Sequence, residues 1–272
     1  MVKGNSTKSS RKKADSEKRG DNESIKASKW PTLKTKKQLS LKEYVTDHIF
    51  VVENLFTPQE CQDLISYAES KLIFPQVPSK VVTRKGEAFR NNSRISISDP
   101  GYANELWKST GLDKLLSHWK TSDGKKVPVG LNDNIRLYRY GPGQQFGRHY
   151  DDHSFDYLKR RTEFTLLVYL NSVGDVPSDG DPEAFQKSSD VRRSERLSSK
   201  SPKSVVKKGG GCGGETVFYL NNPRQDVRIT PEVGKALLHK HGSDCILHES
   251  VPVIKGYKYL LRSDVVFDFP PS

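Results

Sequence analysis

The stretch Asn134-Ile-Arg-Leu-Tyr-Arg-Tyr-Gly-Pro-Gly-Gln-Gln-Phe-Gly-Arg-His-Tyr-Asp-Asp-His153 carries both the fold and the chemistry of this 272-residue chain. Its first seven residues read as an aromatic-rich strand, closed by a Gly-Pro-Gly-Gln turn at 141–144. The run that follows sets His149 and Asp151 two residues apart at the end of a strand-like segment. Side chains two apart on a strand point the same way, so an imidazole and a carboxylate are aimed at one place, where a metal ion can sit. Much later, Leu247-His-Glu-Ser-Val-Pro-Val-Ile-Lys-Gly-Tyr-Lys258 supplies another imidazole, His248, and ten positions on a cation, Lys258.

Outward from the first stretch, strand-like runs cover 161–170, 214–219, 226–229, 235–239 and 257–267, separated by Gly, Pro, Asn and Asp. The texture before residue 131 differs. After a short β-like run at His48-Ile-Phe-Val-Val-Glu53, Thr57-Pro58-Gln-Glu60 combines an N-cap, a proline at the first helical position and a capping-box glutamate. A helix is predicted over 58–71, with Cys61, Leu64, Ile65 and Ala68 at helical spacing. Asp99-Pro100 opens a second, running through Leu106, Trp107, Leu112, Leu115, Leu116 and Trp119 and broken or bent around Gly111. Helices first and many short strands afterwards indicate an α+β domain whose β part is a jelly roll or small barrel.

The formal charge of +12 is uneven: residues 1–40 hold twelve Lys/Arg against four Asp/Glu, and residues 174–211 hold eight against six. Basicity therefore belongs to the tail, where it suits contacts with nucleic acid, acidic partners or import machinery. Residues 1–40 are too poor in large apolar side chains to offset ordering, and are expected to be a disordered basic tail before one domain over 41–272. The Ser-, Lys- and Gly-rich segment 174–211 is expected to be a low-complexity insertion. Cys61, Cys212 and Cys245 form no CxxC pair and no disulfide framework, which suits reduced thiols. No N-terminal apolar stretch and no run of eighteen apolar residues occurs, so the expectation is an intracellular protein, nuclear or cytoplasmic, neither secreted nor membrane-spanning. Arg11-Lys-Lys13 with Lys18-Arg19 suits nuclear import, and equally a solvated charge run. No heptad or apolar stripe points to an oligomer.

Two imidazoles and one carboxylate on one face of an iron ion leave three positions open, the arrangement of non-haem Fe(II) oxygenases. His239 and His241 are alternatives to His248 as the third ligand, and Asp152 and His153 lie beside the proposed pair. Arg262 shares strand parity with Lys258 and competes with it as an anion anchor. No serine or cysteine triad pattern is present, and Gly213-Gly214 lacks the helix and lysine of a phosphate loop.

Four ordered motifs carry a resemblance. Tyr140-Gly-Pro-Gly-Gln-Gln-Phe-Gly-Arg-His149-Tyr-Asp151, Thr165-Leu-Leu-Val-Tyr-Leu-Asn171, Gly213-Gly-Glu-Thr-Val-Phe218, and His248-Glu with Val253-Ile-Lys-Gly-Tyr-Lys258-Tyr-Leu-Leu-Arg-Ser-Asp-Val-Val-Phe267 resemble the prolyl-4-hydroxylase-like branch of the Fe(II)/2-oxoglutarate dioxygenases. Arg90-Asn-Asn-Ser-Arg-Ile-Ser-Ile-Ser-Asp-Pro100 resembles the segment before the barrel in a plant-type subgroup. The resemblance implies a double-stranded β-helix (jelly-roll) core with N-terminal helices packed on it, and iron held by His149, Asp151 and His248. It implies that Lys258 pairs with the distal carboxylate of 2-oxoglutarate, with Tyr140 and Tyr169 hydrogen-bonding that co-substrate and Thr165 lining its pocket. Dioxygen is then the oxidant, succinate and carbon dioxide are co-products, and ascorbate is the expected reductant. Hydroxylation of a C–H bond on an intracellular protein is the leading functional expectation. Oxidative demethylation of nucleic acid or oxidation of a small metabolite is the alternative within the enzyme class, and a non-enzymatic binding module on the same barrel is the alternative outside it.

Overall fold

A computed structural model describes residues 29–36, 38–72, 74–77, 82–174 and 212–270, so residues 1–28 of the tail expected over 1–40, and residues 175–211 of the insertion expected over 174–211, lie outside the described residues. In chain order the elements are β1 (Leu41–Val45), β2 (Ile49–Val52), α1 (Pro58–Tyr67), β3 (Ser93–Ser98), α2 (Pro100–Ser109), α3 (Leu112–Leu115), β4 (Val127–Leu131) and β5 (Asn134–Tyr140). They continue as β6 (Phe146–His149), β7 (Arg161–Tyr169), β8 (Thr216–Phe218), β9 (Val227–Ile229), β10 (Ala236–Lys240), β11 (His248–Ser250) and β12 (Lys258–Asp268).

The strands form two antiparallel sheets. The larger runs β1-β2-β10-β7-β12-β5-β3 with β4 also paired to β12, and the smaller runs β6-β11-β8-β9. This is the jelly-roll core expected from the strand pattern. Alternation along β12 sorts the interior: Tyr259, Leu261, Val265 and Phe267 enter the core shared with the helices, whereas Leu260 enters the second core that also holds Tyr138, Tyr140, Tyr169 and Phe218. Lys258 and Arg262 share the parity of Leu260 and are buried. β10 and β7 alternate likewise, sending Leu237 and Leu167 to the second core and Leu238 and Leu166 to the first.

α1 begins as its sequence requires: the Thr57 hydroxyl accepts from Glu60 N at 3.2 Å, and Glu60 Oε2 accepts from Thr57 N at 2.7 Å. It ends at Tyr67, and a π-helical turn, Ala68–Leu72, completes the predicted span. Gly111 divides α2 from α3 at φ 78°, and the helix stops at Leu115, short of Trp119. Trp119 instead packs against Phe164 and Phe50, with centroids 4.5 and 4.7 Å away. β1, β3, β4 and β11 are not marked as strands by the sequence. β3 shows why: its buried Ser93, Ile95 and Ile97 alternate with exposed Arg94, Ser96 and Ser98, and serine is a poor marker of a strand.

The domain starts earlier than residue 41. The Trp30 ring stacks on Tyr102 with centroids 4.2 Å apart, and its indole N–H donates to Asp99 Oδ2 at 2.9 Å. Leu33 is also buried, and Glu60 accepts from Lys34 N at 2.6 Å and pairs with Lys36. Averaged composition hides a single tryptophan, yet its burial anchors the segment. Trp30→Ala should lower unfolding stability by about 3–5 kcal/mol, read as a lower urea midpoint; an unchanged midpoint would mean that the segment contributes no packing.

Candidate metal centre

β6 and β11 are neighbours in the smaller sheet, and their register sets His149 opposite His248, with ring centroids 4.3 Å apart. Each Nδ1 faces the carbonyl two residues earlier, Gly147 at 2.8 Å and Ile246 at 2.9 Å. Those contacts assign the proton to Nδ1 and leave each Nε2 as a lone pair. Asp151 follows β6 and closes the set, with Oδ1 3.5 Å from His149 Nε2 and Oδ2 3.9 Å from His248 Nε2. One donor atom from each residue lies within 4.8 Å of the others. Metal bonds of about 2.0–2.2 Å would draw neighbouring donors to about 3 Å, a slight contraction.

The charge states suit a cation. Burial acts to raise the Asp151 pKa, but the Arg262 guanidinium above all outweighs it and holds the carboxyl well below its ordinary value. Burial pushes His248 down to about 4 against the pull of Asp151, with His149 adding to the fall, so the ring is a neutral ligand. Arg262 forks onto the carboxylate, 3.1 Å to each oxygen, and its Nε donates to Asp264 Oδ1 at 3.2 Å. The Thr165 hydroxyl donates to Asp151 Oδ2 at 2.8 Å. The alternative ligand His239 lies behind the set, with Nε2 3.6 Å from Asp151 Oδ2, while His241 Nδ1 meets Thr165 Oγ1 at 3.3 Å.

Lys258 opens β12 opposite Tyr140 and is fully buried. Its ammonium donates to the Gly214 carbonyl at 2.6 Å and Ser250 Oγ at 2.8 Å, and stands 5.1 Å from the Tyr140 ring centroid and 5.6 Å from that of Tyr169. No carboxylate of the described residues forms a salt bridge with it. Burial lowers its pKa to about 7, with Glu215 opposing. Arg262, its rival as an anion anchor, is already committed to two carboxylates. The Tyr169 hydroxyl shares a 2.7 Å hydrogen bond with Thr216. Thr165 sits on the strand face of Tyr169 but four residues away, about 13 Å along β7, beside Asp151 rather than beside Lys258.

Several contributors escaped the sequence reading. Ser250 follows His248 at strand parity and holds the ammonium. Gly213 adopts φ +73°, where a Cβ would fall 2.2 Å from the Pro252 carbonyl oxygen, so only glycine admits the close chain approach that leads to Gly214. Arg90 lies over the rings of Tyr138 and Phe146, at 4.7 and 4.4 Å. The Gly-Gly pair was a usable signal; the placement of Arg90 depends on long-range pairing.

A jelly roll that carries two imidazoles and a carboxylate on adjoining segments, with an enclosed ammonium beside them, defines the class of β-helix metal oxygenases. The model of the 2OG-Fe(II) oxygenase superfamily matches residues 135–263. Prolyl 4-hydroxylase 13 of Arabidopsis thaliana is 25% identical over 233 residues, covering 78% of this chain and 68% of the relative. Probable prolyl 4-hydroxylase 8 of the same plant is 28% identical over 217 residues, covering 77% and 65%. The viral collagen prolyl hydroxylase of Paramecium Bursaria Chlorella virus-1, solved as a 2OG complex, is 19% identical with a TM-score of 0.47, covering 81% of this chain and 97% of that one. Residues 135–263 thus form a 2OG-Fe(II) oxygenase domain, the mark of an oxidoreductase, and the chain is similar to the prolyl-4-hydroxylase-like branch of that superfamily. It spans about two thirds of the length of these plant relatives.

Arg262→Met leaves Asp151 buried without its guanidinium and should destabilise the metal-free protein by about 3–5 kcal/mol. Adding Asp151→Asn should recover part of that loss. Urea denaturation of the four forms measures the coupling, and strictly additive losses would show that the pair is not coupled.

Proposed function

We propose that the protein is an Fe(II)- and 2-oxoglutarate-dependent dioxygenase that hydroxylates a C–H bond of a peptidyl substrate, proline being the first residue to test. The observation that carries this reading is the enclosed Lys258 ammonium beside a three-donor centre. Ser250, which holds the ammonium, lies two residues from His248 on the same strand face, about 7 Å along it. A five-carbon keto diacid suits that spacing, with one carboxylate at Lys258 and its keto-acid end at the metal. His149, Asp151 and His248 would hold the iron, and Tyr140, stacked under Lys258, would wall the slot. Bound iron with 2-oxoglutarate supplies the oxidising power, drawn from dioxygen, with succinate and carbon dioxide as co-products and ascorbate as reductant. The chain itself holds the donors in geometry, neutralises the distal carboxylate and excludes water.

A protein substrate is favoured by the connection that follows the donor set. Tyr150, Phe155, Tyr157 and Leu158 are exposed there by 64, 59, 59 and 55%. Exposed apolar side chains on the segment that carries Asp151 suit an extended, proline-containing peptide. The curated relatives are named as prolyl 4-hydroxylases, which points the same way.

Anaerobic titration with Fe(II) and 2-oxoglutarate should produce the weak visible charge-transfer band of the chelate. The band should vanish in His149→Ala, and Lys258→Met should weaken 2-oxoglutarate binding by on the order of a hundredfold, equivalent to about 2.7 kcal/mol. Succinate release with proline-rich peptides then tests the substrate class. Absence of the band in folded, metal-loaded wild type would sink the catalytic reading.

The ammonium also sets a pH dependence. Free Lys258 has its pKa lowered to about 7, and an anion beside it must raise that value. Binding is therefore strongest below pH 7 and weakens as pH rises through 7, where the free lysine is neutral and association must take up a proton. The 2-oxoglutarate dissociation constant should rise between pH 6.5 and 8.5, and Lys258→Arg, whose charge does not titrate there, should flatten the profile. A flat profile in wild type would exclude Lys258 as the anchor.

A further inference from the structure

We propose that His239, Cys245 and His248 form a second metal-binding set, selective for thiophilic divalent cations of the zinc class, and that its occupation competes with loading of the His149, Asp151 and His248 set. The competitive part rests on the iron reading above; the binding itself does not.

Ten residues bring the donors together. β10 delivers His239 on the inter-sheet face, a short 3-10 turn Gly242–Asp244 reverses the chain, and Cys245 and then His248 follow. Gly242, at φ +70°, also donates to the Asp151 carbonyl at 2.8 Å, which docks the turn against the first set. All three donors are buried, exposed by 1, 8 and 4% for His239, Cys245 and His248. One donor atom from each lies within 4.8 Å of the others, the two imidazole centroids are 4.6 Å apart, and Cys245 Sγ is 3.9 Å from His248 Nδ1.

An independent observation points to a ligand. His239 Nδ1 meets the Lys240 carbonyl at 3.1 Å, which assigns the proton to Nδ1. Nε2 is then a bare lone pair, buried, with no hydrogen-bond partner. A buried acceptor left unpaired is costly, and a cation would satisfy it. Burial pushes the Cys245 thiol up to about 12, and the Asp151 amide, which donates to Sγ at 3.2 Å, only partly opposes that rise, so the cation itself must displace the proton. Binding would release the thiol proton to solvent.

Two nitrogens and one sulfur suit zinc, which such sites bind more tightly than Fe(II). Cys245 faces His248 Nδ1 whereas the first set uses Nε2, so a cation on Nδ1 would move the imidazole proton to Nε2 and release the Ile246 carbonyl; a neutral imidazole offers one lone pair, and His248 serves one set at a time. Zinc would thereby hold the protein out of its iron-loaded form.

The full-length, metal-free protein titrated with Co(II) tests this. A near-ultraviolet thiolate-to-cobalt charge-transfer band is expected; it should be lost in Cys245→Ser and kept in Cys61→Ser, Cys212→Ser and His149→Ala. Because Cys245→Ser could fail to fold, zinc-edge X-ray absorption of wild type decides independently, with one sulfur at about 2.3 Å expected. Only nitrogen and oxygen neighbours, or a thiolate band that survives in Cys245→Ser, would overturn the proposal. The iron charge-transfer band without a thiolate signal sinks this set alone, whereas the thiolate signal without the iron band sinks the oxygenase reading alone. With both present, zinc should raise the Fe(II) concentration needed for half-maximal band, and no shift would overturn the competition.

Discussion

The face of β12 turned between the two sheets carries charge, and the site is organised by the need to neutralise it. Lys258, Arg262 and Asp264 occupy alternate positions of a strand that is buried along almost its whole length. An unpaired charge in such a place costs several kcal/mol. Arg262 is answered by Asp151 and Asp264, and Asp264 also by Arg136 at 2.8 Å. Lys258 has two neutral acceptors and two aromatic faces. The strand thus contains one cation satisfied within the chain and one that an anion from outside would satisfy better.

The same alternation decided what could be read in advance. His149, Asp151 and His248 were legible because strand parity and a turn signal are local properties, and the structure brings the three together. The placement of Lys258 on that buried face was legible for the same reason. Its rivalry with Arg262 was not, because parity places both on one face and only the partner on another strand separates them. That partner, Asp151, reaches Arg262 across more than a hundred residues of sequence. Thr165 shows the limit in the other direction: its strand and face were correctly read, yet which end of the slot it serves depends on tertiary placement.

The helical layer follows a comparable rule. The capping box at Thr57 and Glu60 was visible as a sequence pattern, whereas the further use of Glu60 to hold Lys34 and Lys36 was not. One buried carboxylate therefore starts a helix and fixes the segment that covers it. Burial works to raise the Glu60 pKa, but the Lys36 pair and the backbone donors outweigh it, so the group stays ionised. Trp30 depends on that anchorage, since its neighbours in sequence supply little apolar surface of their own.

Arg262 also constrains how Asp151 can act. Both carboxylate oxygens are engaged, Oδ1 by one guanidinium nitrogen and Oδ2 by the other and by the Thr165 hydroxyl. Each oxygen has two lone pairs, so Oδ1 keeps one for a cation while both of those on Oδ2 are taken, and the fork fixes the plane of the group. The guanidinium draws charge from the carboxylate that a metal must share, which weakens it as a donor while keeping it ionised and aimed. Neutral His248 lacks that competition. The donor set is consequently ordered before any cation arrives, and the same order leaves the His239 lone pair facing Asp151 with nothing to bind.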